Sequence, residues 1–253
     1  MLIIAITPVY NEEQTIAKSI ENSLDNGLVP IVLDNGCTDN TMDIVKSLGV
    51  QAYQIVTPTF SHIQLIKFGV CNARKLGCDW YILKDADEIF TTYSGLKVCE
   101  EIEKADRDGY NCMDMDLYEF YPTTADDMSI SDYTERIKYY TFLPASEVRI
   151  IKNSPEISKS HTHFADGTLR MSPVKLILAH YRFLGLEHGK AKVKARRERY
   201  DPFEIAKGSH THYRYFTDES KYYVLEKEIY SKLHRFDGTW KREQVFDGWR
   251  NKR

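Results

Sequence analysis

Short apolar runs alternate with amphipathic stretches through the first half of the chain. Leu2 to Ile6 reads as a buried strand closed by Thr7-Pro8. Asn11 stands before Glu12 and Glu13, the pattern of an N-cap with acidic residues in the first helical turn. Ile16, Ile20 and Leu24 then share one helical face, and Asn26-Gly27 ends that helix. Pro30 to Leu33 predicts a second strand, followed by an Asp34-Asn35-Gly36 turn and a helix capped by Thr38 or Asp39. Gln51 to Val56 predicts a third strand, and Ile63, Ile66, Val70 and Ala73 a third helical stripe. Trp80 to Leu83 is a fourth buried strand, and 94–105 reads as a helix. Asn111 to Phe120 predicts one more strand.

Beyond residue 120 the periodicity weakens. Glu147 to Lys152 and Leu176 to Phe183 read as strands, Gly189 to Tyr200 as a basic helix, and 219–233 as a last helix. Strands alternating with helices imply an α/β fold with a mostly parallel central sheet and right-handed crossovers. In such sheets ligands sit at the carboxyl ends of the strands. Three polar clusters fall at strand ends: Thr7 to Glu13, Asp34 to Asp39, and Asp85 to Glu88.

Composition narrows the class. A chain of 253 residues with 42% hydrophobic residues buries a sizeable core and is not a disordered protein. A net charge of −3 gives no reason to expect nucleic acid as the partner. The five cysteines are odd in number and lack CxxC spacing, which disfavours zinc and a disulfide framework and implies free thiols. The first residues carry no basic region, and no run of about 18 apolar residues occurs, so a cytoplasmic protein is expected. Lys190 to Arg199 forms either a solvated surface helix or a peripheral contact with an anionic membrane face.

Asp85 and Asp87 are the first candidates for chemistry. Two carboxylates at i and i+2 after an apolar strand leave the pleat in a turn. One can hold Mg²⁺ or Mn²⁺ while the other accepts a hydroxyl hydrogen bond. His161 and His163 at i, i+2 could bind zinc, but no further ligands stand near them in sequence; His210 and His212 are weaker still.

Three segments carry a family resemblance: Thr7-Pro8-Val9-Tyr10-Asn11-Glu12-Glu13, Val32-Leu33-Asp34-Asn35-Gly36-Cys37-Thr38-Asp39-Asn40-Thr41, and Trp80-Tyr81-Ile82-Leu83-Lys84-Asp85-Ala86-Asp87-Glu88. In this order and spacing they resemble the nucleotide-binding half of a family 2 glycosyltransferase with the GT-A fold. The last run is similar to a soluble subgroup with Asp-Ala-Asp-Glu. The resemblance implies a Rossmann-like nucleotide-sugar-binding half over 1–120 and an acceptor-binding half with mixed strands over 121–200. A helical, aromatic and charged extension would follow over 201–253.

It also implies residue roles. Thr7, Pro8, Tyr10 and Glu12 would line the nucleoside pocket, Asp34 would contact the base, and Asp85 would bind the ribose or the sugar. Asp87 would hold Mn²⁺ or Mg²⁺, with His180 as a downstream ligand. Asn35 departs from the acidic residue often found at its position, which leaves the base open. The implied reaction moves a hexose from a nucleotide diphosphate sugar, by default a UDP-sugar, to a glycan or glycolipid hydroxyl. Inversion requires a general base, for which Glu119 and Asp116 are candidates. Lys194 or Arg197 could neutralise the diphosphate.

Three rivals stand beside this reading. A sugar nucleotidyltransferase would want a Gly-rich, Arg-containing loop after the first strand, and 7–12 contains no glycine. The others are a non-catalytic sugar-nucleotide or glycan-binding protein on the same scaffold, and a membrane-linked adaptor.

Overall fold

A computed structural model describes residues 1–59, 61–144, 146–158, 165–199 and 223–246. The chain forms two compact units. The first comprises Met1–Thr57, Ser61–Asp116 and Ala145–Leu178; the second comprises Pro58–Phe60, Leu117–Pro144 and Ala179–Arg253.

The first unit is built on β1 (Ile3–Val9), α1 (Ile16–Asp25), β2 (Val29–Asp34), α2 (Thr41–Ser47), β3 (Gln51–Gln54), α3 (His62–Lys75) and β4 (Trp80–Leu83). β5 (Glu88–Thr91), α4 (Val98–Arg107) and β6 (Cys112–Met113) follow. β7 (Met115–Tyr121) leads into the second unit, which holds α5 (Tyr133–Arg136) and β8 (Tyr139–Leu143). The chain then returns through β9 (Ile150–Lys152), β10 (Ile157–Ser158), β11 (Asp166–Gly167) and β12 (Leu176–His180), which again leads across. α6 (Leu186–Glu198), α7 (Lys227–Tyr230) and β13 (His234–Arg235) complete the second unit.

In the first unit the sheet order is β3-β2-β1-β4-β9-β6. β3, β2, β1 and β4 run parallel, whereas β9 is antiparallel to both β4 and β6. Strand order reverses between β1 and β4, the position where such sheets open a ligand crevice. Successive residues of a strand face opposite sides of the sheet. Ile6 and Leu33 lie against Gly69 of α3, while Val9 and Val32 pack with Ile16 and Ile20 of α1 and Val45 of α2. Helices therefore cover both faces. Ile3, Ile4 and Ile6 are all but fully buried, each such side chain contributing about 1.5–3 kcal/mol.

In the second unit β7, β8 and β13 pair antiparallel. Their aromatic residues Tyr118, Phe120 and Tyr140 pack with Phe236 and Trp240 of the tail. α6 turns Gly189, Lys192 and Val193 inward, and Gly189 lies so close to the Tyr223 ring that a Cβ would overlap it. The basic residues therefore do not ring a fully solvated cylinder; Lys194 and Arg197 remain exposed.

Several elements differ from their sequence expectation. β1 continues through Thr7-Pro8 to Val9. Val9 O accepts from Asn35 N beside β2, and Ile6 O accepts from Lys84 N beside β4. By alternation Pro8 faces the β4 side, beyond the last β1–β4 pair, Ile6↔Leu83. A missing N–H costs nothing there. Asn11 is not an N-cap: its φ of 55° places it in a left-handed turn, and α1 begins at Ile16. The strand expected over 111–120 breaks at Asp114, whose Oδ1 accepts from Met115 N (2.8 Å) and Glu147 N (2.6 Å). The helix expected from Ser94 starts at Val98. β5 was not expected; Asn22 of α1 pins it by exchanging side-chain hydrogen bonds with Phe90 N and O. His161, His163, His210, His212 and most of the extension over 201–253 lie outside the described residues.

Candidate functional site

Parallel pairing of β2, β1 and β4 carries the three polar clusters to one edge of the sheet. Val9 stands beside Asp34 in register, and Lys84 follows directly on the paired Leu83. Thr7, Pro8, Tyr10, Glu12, Asp34, Asp85, Asp87 and Asp116 all belong to the first unit; Glu119 and His180 belong to the second.

Side chains stitch the first two clusters together. Asn11 Nδ2 donates to Thr38 Oγ1 (3.1 Å), and Thr38 N donates to Asn11 Oδ1 (2.8 Å). The Glu13 carboxylate accepts from Asn40 N (3.1 Å) and Nδ2 (2.9 Å). Glu12 is buried; its N–H donates to Thr41 Oγ1 (2.8 Å), and its Oε2 accepts from Thr15 Oγ1 (3.1 Å). The left-handed turn at Asn11 is what lets these bonds form, and asparagine tolerates that conformation better than most residues.

Asp34 closes its own loop. Its Oδ1 accepts from Gly36 N (3.0 Å) and Cys37 N (2.8 Å), an Asx-type turn, and Gln54 Nε2 approaches Oδ2 at 3.5 Å. Asn35 donates through Nδ2 to Ile55 O (2.6 Å) and Thr57 Oγ1 (2.9 Å). The Ile55 carbonyl can only accept, so a carboxylate at this position would lose that bond. That explains the departure from an acidic residue. Burial pushes the Cys37 thiol up to about 12, so it is no thiolate nucleophile at neutral pH.

The third cluster rests on buried ions. Lys84 Nζ donates to Ser19 O (2.6 Å), Asn22 Oδ1 (2.9 Å) and Ser23 Oγ (3.0 Å), fixing the end of β4 to α1. Asp85 N donates to Glu88 Oε2 (2.8 Å). Arg149 sits beneath, with Nη1 at 2.9 Å from Glu88 Oε1 and 3.5 Å from Asp85 Oδ2, and Nε at 2.9 Å from Glu147. Burial opposes the Arg149 charge, but Glu88, Glu147 and Asp85 more than offset it and hold the guanidinium protonated. His62 Nε2, at the start of α3, lies 3.4 Å from Asp85 Oδ1. Burial raises the Asp85 carboxyl, yet His62 and Arg149 outweigh it and hold it well below the usual range. Asp87 is buried.

Asp116 accepts from Tyr93 OH (2.7 Å), and Lys175 Nζ lies 3.5 Å from its other oxygen and 2.7 Å from Asp114. In the second unit Glu119 accepts from Arg182 Nε (2.8 Å) and pairs with His180 Nδ1 (3.1 Å). Burial raises the Glu119 carboxyl, but Arg182 and His180 dominate and lower it strongly.

Sequence reading missed His62, Arg149, Tyr93, Lys175 and Arg182. A faint signal existed for Arg149, since Glu147 and Arg149 alternate with apolar residues into β9. All five cysteines are free. Among the described residues no group of three or more His, Cys, Asp or Glu side chains forms a metal cage, and no helix is long and apolar enough to cross a membrane.

These features define an α/β protein of the GT-A type, with its polar strand tips gathered at the parallel edge where the strand order reverses. The chain belongs to glycosyl transferase family 2, whose model matches residues 4–146. It is similar to solved structures at low identity. One is S. aureus TarS 1-349 in complex with UDP: 18% identity, TM-score 0.40, covering 47% of this chain and 36% of that one. Another is the mannosyltransferase PcManGT from Pyrobaculum calidifontis in complex with GDP-Man and Mn²⁺: 15%, 0.37, 45% and 34%. A third is glucosyl-3-phosphoglycerate synthase from Mycobacterium tuberculosis in complex with Mn²⁺, UDP and glucosyl-3-phosphoglycerate: 18%, 0.35, 46% and 44%. The chain spans about a third of the length of the first two. No curated protein matches it.

Proposed function

We propose that this protein is a metal-dependent glycosyltransferase that moves a hexose from a nucleotide diphosphate sugar, by default a UDP-sugar, to a glycan or glycolipid hydroxyl with inversion. The gathering of Asp34, Asp85 and Asp87 at one strand edge carries the reading. Family membership supports it, and the UDP- and GDP-Man-bound neighbours fit it.

The structure supports a division of labour within Asp85-Ala86-Asp87. Asp85 already shares its charge with Arg149 and His62, so its oxygens suit hydroxyl donors of the ribose or sugar. Asp87 is the carboxylate proposed for Mn²⁺ or Mg²⁺. Those ions keep waters and take one or two carboxylates plus substrate phosphates, so a full protein cage is not required. A bound cation would neutralise charge on the departing diphosphate. His180, whose Nδ1 faces Glu119 as metal-binding imidazoles commonly face a carboxylate, is retained as a candidate ligand. Thr7, Pro8, Tyr10 and Glu12 are proposed for the nucleoside and Asp34 for the base. Asp116 and Glu119 are the proposed bases. Peripheral membrane contact through α6 stays part of the proposal, supported by exposed Lys194 and Arg197.

A panel of nucleotide sugars with Mn²⁺ tests the reading, scored by thermal shift and donor hydrolysis. Binding should require metal and weaken at least about tenfold in Asp87→Ala. Equal binding and turnover in that variant would overturn it. Metal-dependent binding without turnover on any acceptor would mark a binding protein instead.

A further inference from the structure

Asp85 is held differently from the rest of its cluster. Arg149, Glu88 and Glu147 are buried, but the Asp85 side chain keeps 34% of its surface exposed. Its backbone is fixed by Glu88, and Lys84 anchors the preceding residue to α1. Among the described residues, two side chains approach the carboxylate at opposite oxygens: Arg149 at Oδ2 and His62 at Oδ1. Arg149 is committed elsewhere, with shorter contacts to Glu88 and Glu147. His62 comes from another element, the first turn of α3, and is mostly buried.

We propose that His62 is a positioning residue for the donor. Its imidazole fixes the rotation of the Asp85 carboxylate and occupies Oδ1. The acceptor direction left on the exposed face then matches a vicinal hydroxyl pair, as on the ribose of a nucleoside diphosphate. This rests on the transferase reading above. A carboxylate held by the 3.5 Å Arg149 contact without His62 would have to be ordered further at each binding event, and one already fixed at both oxygens does not incur that loss. His62 touches no reacting atom; it acts through Asp85.

The test is a double-mutant cycle on the full chain, read by calorimetric titration of UDP and, in parallel, GDP with Mn²⁺. His62→Ala should weaken nucleotide binding about tenfold, raise KM for the donor sugar by a similar factor and leave kcat within about twofold. In the Asp85→Asn background the same substitution should cost nothing further. His62→Gln, which keeps a side-chain N–H, should recover most of the loss, and it replaces His62→Ala in the cycle if that variant melts early. Inorganic pyrophosphate, which has no ribose, should bind wild type and His62→Ala alike. An undiminished penalty in the Asp85→Asn background, or an equal loss for pyrophosphate, would overturn the proposal. Should Asp85→Asn weaken nucleotide binding while His62→Ala does not, the His62 role alone fails. Should neither Asp85→Asn nor Asp87→Ala matter, the transferase reading fails.

Discussion

Lys84 sits in the sheet interior with its ammonium against Ser19, Asn22 and Ser23, and burial pushes its pKa down to about 7, with Glu88 opposing. The ordinary value is 10.5. Between these two values the unfolded chain binds the proton that the folded chain has released. Stability from this group therefore rises with pH across that window, and below about 7 the burial cost is felt in full. The slope approaches about 1.4 kcal/mol per pH unit at most. Urea unfolding of wild type and Lys84→Met at about pH 6.5 and about pH 9 should show wild type gaining relative to the variant. A constant difference would mean the ammonium is not strained by burial.

The two candidate bases part company at this same scale. Arg182 and His180 hold Glu119 as a weakly basic carboxylate, whereas Asp116 meets a Tyr93 hydroxyl and a half-exposed Lys175. Asp116→Asn should leave donor binding intact and cut transfer by about 10²-fold or more. Glu119→Gln should spare transfer more than it spares stability. Steady-state rates beside melting curves distinguish the two, and full turnover in both variants would reject both.

Among the elements, α3 packs through a glycine. A Cβ at Gly69 would stand 2.4 Å from Ile6 and 2.8 Å from Leu33. Gly69→Ala should therefore destabilise by about 1–3 kcal/mol although alanine is the better helix former. An unchanged or raised denaturation midpoint would show that the sheet yields. What was legible in sequence follows from periodicity: β1, β4 and Pro30–Asp34 of β2 are continuous buried runs, α3 buries Ile66, Val70 and Ala73, and α1 buries Ile16 and Ile20, although Leu24 of its expected stripe is exposed. The three tips met because parallel strands must present like ends together. What was not legible depends on partners distant in sequence. Asn11 looked like a cap because its real partner, Thr38, is 27 residues on. Pro8 looked like a stop because its place beyond the end of β4 is a property of the sheet. Arg149 and His62 reach Asp85 from segments whose own patterns say nothing of a carboxylate.

At the scale of the whole molecule, β9 falls within the strand expected over 147–152, but its place in the sheet could not be read from the sequence. It lies between β4 and β6 in the sheet yet comes from beyond residue 149. A chain of residues 1–120 would leave β4 with one unpaired edge of apolar residues. That fragment should aggregate and show no cooperative melting transition. A soluble fragment with a sharp transition would show that β9 is dispensable.

The same insertion sets a clock during synthesis. Trp80 to Leu83 leaves the ribosome well before Ile150, and at about 5–20 residues per second the gap lasts roughly 3 to 13 seconds. For that interval a nascent apolar strand has a bare flank, open to the same strand on a neighbouring polysome. Slowed elongation between these segments should lower soluble yield without altering a single residue of the finished protein.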